Sequence, residues 1–563
     1  MNPLPDLWFR KVCFLLLITL SYYEAKPQSY RQFVDSAFYF AGKKDFKTGI
    51  RYLERASLIN PDGRITCCYN IACLASVSGD NDLAFGKIVE VLASDEWKKF
   101  NFEGDTDLTN LKADQRWNTI KEKLSSLLAA KAKSDEQEIN KWKQLQSEMN
   151  QYGDRELIGN TDKLSPTALY TYLKNLISNY QYKQEGQYLN FFLKINDSAQ
   201  TCYFIQLPDN FDYHKRYPVL VVLHGGVKVT KIPKLSDKEL AFDYFGKSFL
   251  DRVKGMGMIS VYPFADKAYN WMYPDEGFMM VPAIVTEMKK CFNVDDTRVY
   301  INGHSNGATG AFSYLMKEPD LFAGLSGFNN KPQVRTGGTF IMNAVNRSFY
   351  NVSTTVDYYF PFEGHLTLEK IMSASCLPWQ NVKYHGPHWF PYLPQGELAT
   401  QNLFDDMVTR KRNPFEDHIY WECDDVKYGK CDWMQINQLD TAQSRAEWHQ
   451  TTNFKVSKWI DPNDTLKIID SVAMAFTFPR KSGAAEADYK NNSFNVRTSC
   501  VQQFSIFISP EMVNMNKPIK IYVNGKLKFH ARPAIDRNFM LANFRKNYDR
   551  QAVWAQRITI NVF

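Results

Sequence analysis

The sequence predicts a multidomain chain built around an α/β fold, a mostly parallel sheet flanked by helices, with an α-helical domain before it and a β-rich module after it. In the central stretch, apolar runs at residues 219–223 and 299–301 each lead into a glycine-containing turn, the pattern of buried strands. Residues 33–93 repeat a helical pattern with a period of 35 residues. After residue 412, short alternating segments indicate strands. A chain of 563 residues exceeds one ordinary domain, so we expect three: residues 26–150, 165–412 and 413–563.

The composition excludes several classes of function. The chain is 44% hydrophobic and 15% aromatic, so it can bury large cores. A net charge of +7 is small for this length and the basic residues are scattered, so nucleic acid is not an expected partner. Ten cysteines imply no disulfide framework, and no cysteine and histidine spacing matches a zinc site, so no metal is expected. Cys423 and Cys431 flank residues 424–430 like facing ends of a hairpin, and their pairing is left open.

The amino end has the pattern of a secretory signal peptide. Arg10 and Lys11 precede an apolar run over residues 12–20, which is too short to span a bilayer, and Ala25 stands at a plausible cleavage position. We therefore expect residues 1–25 to be a signal peptide, with an uncleaved anchor as the alternative, and the chain to be exported to the periplasm, the cell surface or the medium. No later stretch is long and apolar enough for a transmembrane helix, so no integral span is predicted.

Residues 299–312 contain the one segment that indicates a reaction; they read VYINGHSNGATGAF. An apolar run leads to Ser305, which has glycine two residues to either side, and small residues then begin a helix. A serine on a sharp strand-to-helix turn needs glycine at those flanking positions, because a side chain there would collide with the neighbouring backbone. Ser305 is therefore the predicted nucleophile.

A matching oxyanion hole is predicted from residues 217–227, which read YPVLVVLHGGV. The strand ends in a His-Gly-Gly loop whose backbone amides can face a bound carbonyl oxygen. We expect one amide from Gly226 or Val227 and the other from Asn306. The role predicted for His224 is to orient the loop.

The general base and its carboxylate should follow the serine in the order Ser, Asp or Glu, His. Residues 346–364 begin like a strand, and Asp357 comes at the strand end; Glu363, on the same loop, is the rival. Residues 381–392 (NVKYHGPHWFPY) offer two histidines, of which His388 is preferred over His385 for its place before an aromatic cluster and a helix near residues 396–411. The remaining candidates are read as surface or core histidines: His365, His418, His449 and His530.

Two further residues are candidates for the substrate pocket. Trp271, in the segment AYNWMYP, could line an acyl or alcohol pocket or could equally be core. His304, beside the serine, is the second candidate.

These motifs carry a family resemblance. Residues 294–328 read VDDTRVYINGHSNGATGAFSYLMKEPDLFAGLSGF, with LHGG upstream and the Asp357 strand downstream. Over about residues 203–412, this resembles the secreted esterase branch of the α/β-hydrolase fold, which includes feruloyl esterases, acetylxylan esterases and polyhydroxybutyrate depolymerases. The resemblance implies a mostly parallel sheet with helices on both faces and an ester substrate linked to a polysaccharide or related polymer.

The helical domain has the pattern of tetratricopeptide repeats. The small, large and terminating positions of one unit are occupied by Phe33, Ala37, Phe40, Gly49, Leu53, Ala56 and Pro61. The small residues Ala37 and Gly49 recur as Ala72 and Ala84, with turns expected at residues 42–45 and 78–80. Helices over residues 116–149 should cap the two units or pack on the catalytic domain. The repeats could bind a protein or peptide partner or dock the chain's own hydrolase domain, and an unrelated pair of helical hairpins is the alternative.

The last part of the chain predicts a β-rich module with no catalytic constellation. The expected strands are residues 418–422, 466–469, 504–508, 519–523, 526–529 and 557–563. Asn524 and Gly525 form a type I′ hairpin signal, since both positions accept positive φ. The module resembles the carboxyl extension of tetratricopeptide-bearing bacterial esterases, and its role, substrate binding or covering the hydrolase, is left open.

The sequence thus predicts an exported serine hydrolase of carboxylic esters that needs no cofactor. The alternatives are a serine peptidase of the same fold, because the same triad cleaves amides, and a non-catalytic binding protein on a hydrolase scaffold.

Overall fold

The computed structural model describes residues 29–159, 161–178, 180, 187–235, 247–460 and 467–563. The predicted signal peptide lies outside these residues. Two compact units divide the chain, Met1–Glu138 and Ile139–Phe563. No helix in the described ranges has the length and apolarity needed to cross a membrane.

The first unit is helical. Two antiparallel hairpins are followed by a short helix and the start of a long one: α1 Tyr30–Gly42, α2 Phe46–Ile59, α3 Arg64–Ser78, α4 Asn81–Leu92, α5 Thr109–Lys112 and α6 Arg116–Gly159. Both predicted turns are observed. Ser29 caps α1 in a capping box with Gln32, and Gly79, with φ of +84°, ends α3.

The small residues predicted at the helix contacts are all buried. A Cβ on Gly49 would lie 3.0 Å from the carbonyl oxygen of Ala37, so these helices approach too closely for a larger residue at that position. Ala72 and Ala84 are fully buried in the core of the second hairpin. The first turns of α6 bring Trp117 and Ile120 into this same core.

The second unit is organised around an eight-stranded sheet. Its strands are β1 Tyr188–Lys194, β2 Gln200–Gln206, β3 Tyr217–Leu223, β4 Ile259–Pro263, β5 Val294–His304, β6 Gly324–Phe328, β7 Phe349–Thr354 and β8 Trp379–Tyr384. They are ordered β1-β2-β4-β3-β5-β6-β7-β8. β2 is antiparallel to both of its neighbours, and the strands from β4 through β8 pair in parallel.

Helices bury both faces of this sheet, which explains why β3 is apolar throughout. Val219, Val221 and Leu223 enter one core, and Leu220 and Val222 enter the other. After α6, the helices among the described residues of this unit are α7 Pro166–Asn175, α8 Lys247–Gly255, α9 Asp275–Phe278, α10 Met280–Cys291, α11 Asn306–Lys317, α12 Phe362–Ala374, α13 Glu397–Thr409 and α14 Arg537–Asn547. The first core receives α10, α11 and α12, and the second receives α8 and α13. A mixed, mostly parallel sheet flanked by helices fits a hydrolase fold.

The carboxyl end of α6 belongs to the second unit. Met149 is buried in the first core of the sheet, and Gln146 donates hydrogen bonds to the Phe192 carbonyl and the Glu287 carboxylate, both at 2.8 Å. Asp154 pairs with Lys290 at 2.7 Å. The predicted helices over residues 116–149 are therefore one helix, which packs at its start on the hairpins and near its end on the sheet.

Residues beyond α13 form three further sheets. Their strands are β9 His418–Cys423, β10 Lys430–Cys431, β11 Met434–Leu439, β12 Lys455–Ile460, β13 Ile468–Met474, β14 Gly483–Lys490, β15 Ser493–Ser499, β16 Val501–Ile508, β17 Ile519–Val523, β18 Lys526–Ala531 and β19 Gln556–Asn561. The four-stranded sheet β10-β11-β16-β19 and the five-stranded sheet β18-β17-β15-β14-β9 share one core, while β12 and β13 form a hairpin of their own. Cys423 and Cys431 are separate buried thiols.

Five buried charged residues fasten the carboxyl-terminal region to the sheet. Lys289 Nζ lies 3.0 Å from carboxylate oxygens of both Asp296 and Asp549. Arg412 contacts Asp549 at 2.6 Å, and Arg550 contacts Asp296 at 3.6 Å. Removing one member of such a buried set leaves its partners without an opposite charge and lowers the free energy of unfolding by about 3–5 kcal/mol. We call these residues the ionic cluster.

Candidate active site

Ser305 occupies the turn between β5 and α11. Its backbone has φ of +57° and ψ of −120°, a sparsely populated conformation for a residue with a side chain, and its amide donates to the Phe328 carbonyl at 2.9 Å. A Cβ on Gly303 would lie 2.2 Å from the Gly307 carbonyl carbon, and one on Gly307 would lie 2.0 Å from the Leu223 carbonyl oxygen. The two flanking glycines are therefore required by backbone contacts, as predicted.

The His-Gly-Gly loop after β3 packs directly against this turn. A Cβ on Gly225 would lie 2.9 Å from the Cβ of Ser305, and Gly226 has φ of +62°. His224 donates from Nδ1 to the Gly225 carbonyl at 2.7 Å and accepts at Nε2 from the Ala265 amide at 3.2 Å. Burial lowers the pKa of His224 to about 4, so a neutral imidazole fixes the loop.

The amides proposed for an oxyanion hole lie on these two elements. Asn306 is the first residue of α11, where a backbone N–H has no partner within the helix. Val227 is buried and immediately follows Gly226. The helix N-terminus also adds a favourable dipole for a developing negative charge.

Asp357 and His388 form a buried pair. Nδ1 of His388 lies 3.0 Å from Oδ1 and 2.9 Å from Oδ2 of Asp357. The Tyr359 and Phe360 amides donate to Oδ1 of Asp357 at 2.8 and 3.0 Å, which holds the carboxylate in an Asx-type turn. Because Nδ1 of His388 is the donor in this pair, its Nε2 is available as a proton acceptor.

The rival residues lie elsewhere. His385 is exposed and its Nδ1 contacts the Thr355 hydroxyl at 2.9 Å. Glu363 is exposed in the first turn of α12. Of the histidines read as structural, His365 is buried beside Asn351 at 3.3 Å, and burial lowers its pKa to about 4. His449 is buried between Ser499 and Glu422, His418 is half-buried on β9, and His530 is exposed on β18.

A polar contact that the sequence did not predict joins the histidine loop to the serine turn. The carbonyl oxygen of His388 accepts from His304 Nε2 at 2.8 Å and from Asn329 Nδ2 at 2.8 Å. Asn329 Oδ1 also accepts from the Thr354 hydroxyl at 3.1 Å. The sequence position of Asn329 could have indicated this role. Asn329 directly follows β6 at the carboxyl edge of the sheet, where β5 and β7 also end.

The two pocket candidates are placed differently. Trp271 is fully buried under α11, where a Cβ on Gly310 would lie 2.6 Å from its ring, so it belongs to the core. His304 is buried too, but its ring lies 4.7 Å from that of His388 and 5.0 Å from that of Tyr392. Burial, and then the nearby His388, lower the pKa of His304 to about 3, so it is neutral and positions the loop.

Aromatic rings surround His388. Tyr359 lies 4.8 Å from its ring and Phe360 5.4 Å, and Trp389, itself half exposed, lies 5.3 Å away. Such rings exclude water around the imidazole and offer an apolar surface to a substrate.

Among the described residues, one group of possible metal ligands occurs, Cys73, Asp105 and Asp107 in the helical unit. Two of its members already have protein partners: Asp105 accepts from the Tyr69 hydroxyl at 2.7 Å and from the Cys73 thiol at 3.7 Å. The residues around Ser305 are not part of it.

No family model and no curated protein matches the sequence. Solved structures that align with it include a thermostable esterase, with 17% identity over 40% of this chain and 63% of that one and a TM-score of 0.31. Esterase 2 of Thermogutta terrifontis aligns with 13% identity over 41% of this chain and 97% of its own, at a TM-score of 0.32. A ferulic acid esterase aligns with 17% identity over 40% and 97% of the two chains, at 0.31.

Proposed function

We propose that the protein is a serine hydrolase of carboxylic esters. The observation that carries the proposal is the buried Asp357–His388 pair, tied through His304 to the strained turn that bears Ser305. A buried carboxylate on Nδ1 of a histidine is the arrangement that activates a serine.

In the proposed reaction, Nε2 of His388 takes the proton of Ser305 as its hydroxyl oxygen attacks the acyl carbonyl. Asp357 holds the imidazole in the required tautomer and stabilises the imidazolium. The amides of Asn306 and of Gly226 or Val227 donate to the oxyanion, and His388 returns the proton to the departing alcohol. Water, deprotonated by the same histidine, then attacks the acyl carbon, and the histidine returns that proton to Ser305 as the acid is released.

The finer parts of the proposal are the substrate, the compartment and the domains. The family resemblance favours an ester attached to a polysaccharide or related polymer, and the signal pattern over residues 1–25 favours export. We propose residues 165–412 as the catalytic domain and residues 413–563 as a β-rich module. The hairpins of residues 26–150 are proposed as tetratricopeptide units that bind a protein or peptide, or the chain's own hydrolase domain.

The test combines active-site labelling with turnover. A fluorophosphonate probe should label the protein, and Ser305→Ala should lose both the label and ester hydrolysis while keeping its circular dichroism spectrum. Knockouts of such serines lower turnover by about 10⁶-fold. Ser375→Ala, at an exposed serine after α12, is the matched control and should keep both. If the probe does not label the native protein, the result would favour the alternative of a non-catalytic binding protein.

A substrate panel separates the remaining candidates. It contains p-nitrophenyl acetate, p-nitrophenyl butyrate, methyl ferulate and a peptide anilide. Hydrolysis of the esters without the anilide supports the esterase, and preference for the anilide supports the peptidase of the same fold. Selectivity for methyl ferulate would narrow the acyl group to an aromatic one.

A further inference from the structure

The segment that follows β6 lies against the proposed catalytic residues. Asn329 holds the His388 carbonyl, and two residues later the Lys331 amide donates to the Thr309 hydroxyl at 3.0 Å. Thr309 is in the first turn of α11, where its own amide donates to the Ser305 carbonyl at 3.0 Å. Lys331 is therefore anchored one helical turn from the nucleophile, at the carboxyl edge of the sheet.

Positive charge collects around this point. Lys331 is half-buried, and the groups that act on its ammonium group are two further cations, Arg335 on the same segment and Lys228 on the loop after Val227. Among the residues that the structure describes, neither Lys331 nor Arg335 forms an ion pair with a carboxylate. Burial, with the like charges of Arg335 and Lys228, lowers the pKa of Lys331 to about 8.

An independent observation concerns Asn330. Its side chain is fully buried, and within the described part of the chain neither its amide oxygen nor its amide nitrogen has a hydrogen-bond partner. Buried polar groups almost always find a partner, so an orphaned amide between Asn329 and Lys331 indicates that something else supplies one. Lys331 is a half-buried cation without a counter-ion in the described ranges, so an anion bound beside it would be stabilised.

We propose that Lys331 and Arg335, with the buried Asn330 directly before Lys331 in the chain, form a subsite for a carboxylate on the substrate, close to the ester that Ser305 attacks. The inference rests on the proposed esterase function and narrows its substrate class to esters that carry a second, ionised acid. The carboxylate can belong to the acyl part, as in a half-ester of a dicarboxylic acid, or to the alcohol part, as in an ester of an acidic sugar. Lys228 adds positive potential from the opposite loop.

Two pairs of substrates test this and separate the two sources. On the acyl side, monomethyl terephthalate is compared with methyl 4-carbamoylbenzoate. On the alcohol side, 4-acetoxybenzoate is compared with 4-acetoxybenzamide. For each pair, kcat/KM of the carboxylate ester is divided by kcat/KM of the carboxamide ester. This ratio is then divided by the ratio of the two esters' rates of hydrolysis by hydroxide, which corrects for their different intrinsic reactivity. A charge-assisted contact predicts a corrected ratio of at least about 10 in one pair.

Lys331→Met should reduce that ratio several-fold through a higher KM for the carboxylate ester, and Arg335→Met should reduce it less. The backbone bond from residue 331 to Thr309 survives both changes. Lys490→Met removes an equal charge from an exposed position at the end of β14 and should leave the ratio unchanged. Corrected ratios near one in both pairs of the native protein would overturn the proposal.

Calorimetry keeps this test independent of catalysis. The Ser305→Ala protein should bind monomethyl terephthalate or 4-acetoxybenzoate at least about tenfold more tightly than the matching carboxamide. Equal affinities for the carboxylate and the carboxamide would show that there is no carboxylate subsite, even if the protein is an active esterase. If the native protein hydrolyses neither these four esters nor the p-nitrophenyl esters and methyl ferulate, the proposed function fails, and the affinities alone decide the subsite.

Discussion

His388 Nδ1 lies within 3.0 Å of both carboxylate oxygens of Asp357, and the pair is almost wholly shielded from solvent. This contact selects the imidazole tautomer whose Nε2 can accept a proton. Asp357→Asn should preserve the shape of the site while favouring the wrong tautomer, so kcat should fall by about 10⁴-fold with an unchanged thermal midpoint. Glu363→Gln, at the exposed rival carboxylate, should stay within twofold. If Glu363→Gln proved the more damaging change, the carboxylate role would pass to that residue.

The two histidines of the loop should differ sharply. Of the two histidines in this loop, His388 is the one that contacts Asp357. His388→Ala removes that contact together with the proposed base, so ester hydrolysis should fall by several orders of magnitude. His385→Ala removes only a surface contact with Thr355 and should cost less than about threefold. Steady-state kinetics on p-nitrophenyl butyrate measures both. A larger loss in the His385 variant would reverse the assignment.

The preference for carboxylate substrates should depend on pH. Lys331 is charged below its pKa of about 8, where the neighbouring cations Arg335 and Lys228 act on it, and loses its charge above that pH. The kcat/KM ratio of the favoured carboxylate ester to its carboxamide should therefore be highest at pH 7 and fall between pH 7 and 9. Lys331→Arg should retain the ratio through pH 9, since arginine stays protonated. A ratio in the native protein that does not change with pH would contradict the involvement of Lys331.

Truncations should distinguish two parts of α6. A chain that begins at residue 164 loses Met149 from the first core of the sheet, removes the Gln146 contacts and leaves Lys290 without Asp154. We expect it to aggregate or to melt well below the full-length protein, because buried apolar area is exposed. A chain that begins at residue 139 keeps these contacts and should retain activity on small esters. Equal melting of the two truncated proteins would show that residues 139–163 contribute little.

Local signals predicted the parts of the molecule that depend on local geometry. The serine turn needs glycine at residues 303 and 307, and the hairpin at Asn524 and Gly525 needs positive φ, which the structure has at +47° and +80°. Sequence alone could rank His388 and His385 only by their surroundings, because the choice depends on a contact with Asp357, which lies on the loop after β7. β14 was missed because its residues, GAAEADYK, have low strand propensity, and the four that are buried are glycine and alanine. Asn329 was missed for the same reason as Lys331, since both acquire their roles only when α11 and the histidine loop pack around them.

The ionic cluster implies an order for folding. Asp549 meets Lys289 across 260 residues of chain, and Arg550 lies 254 residues from Asp296. Before the segment with Asp549 and Arg550 arrives, a preformed sheet would hold Arg412 without its carboxylate and Lys289 with one of its two. Such an intermediate is disfavoured, so the sheet and the distant carboxyl-terminal segment should consolidate together in a late, cooperative step. The chain would then remain unable to hydrolyse esters during synthesis and become competent only when residues 549 and 550 have been made.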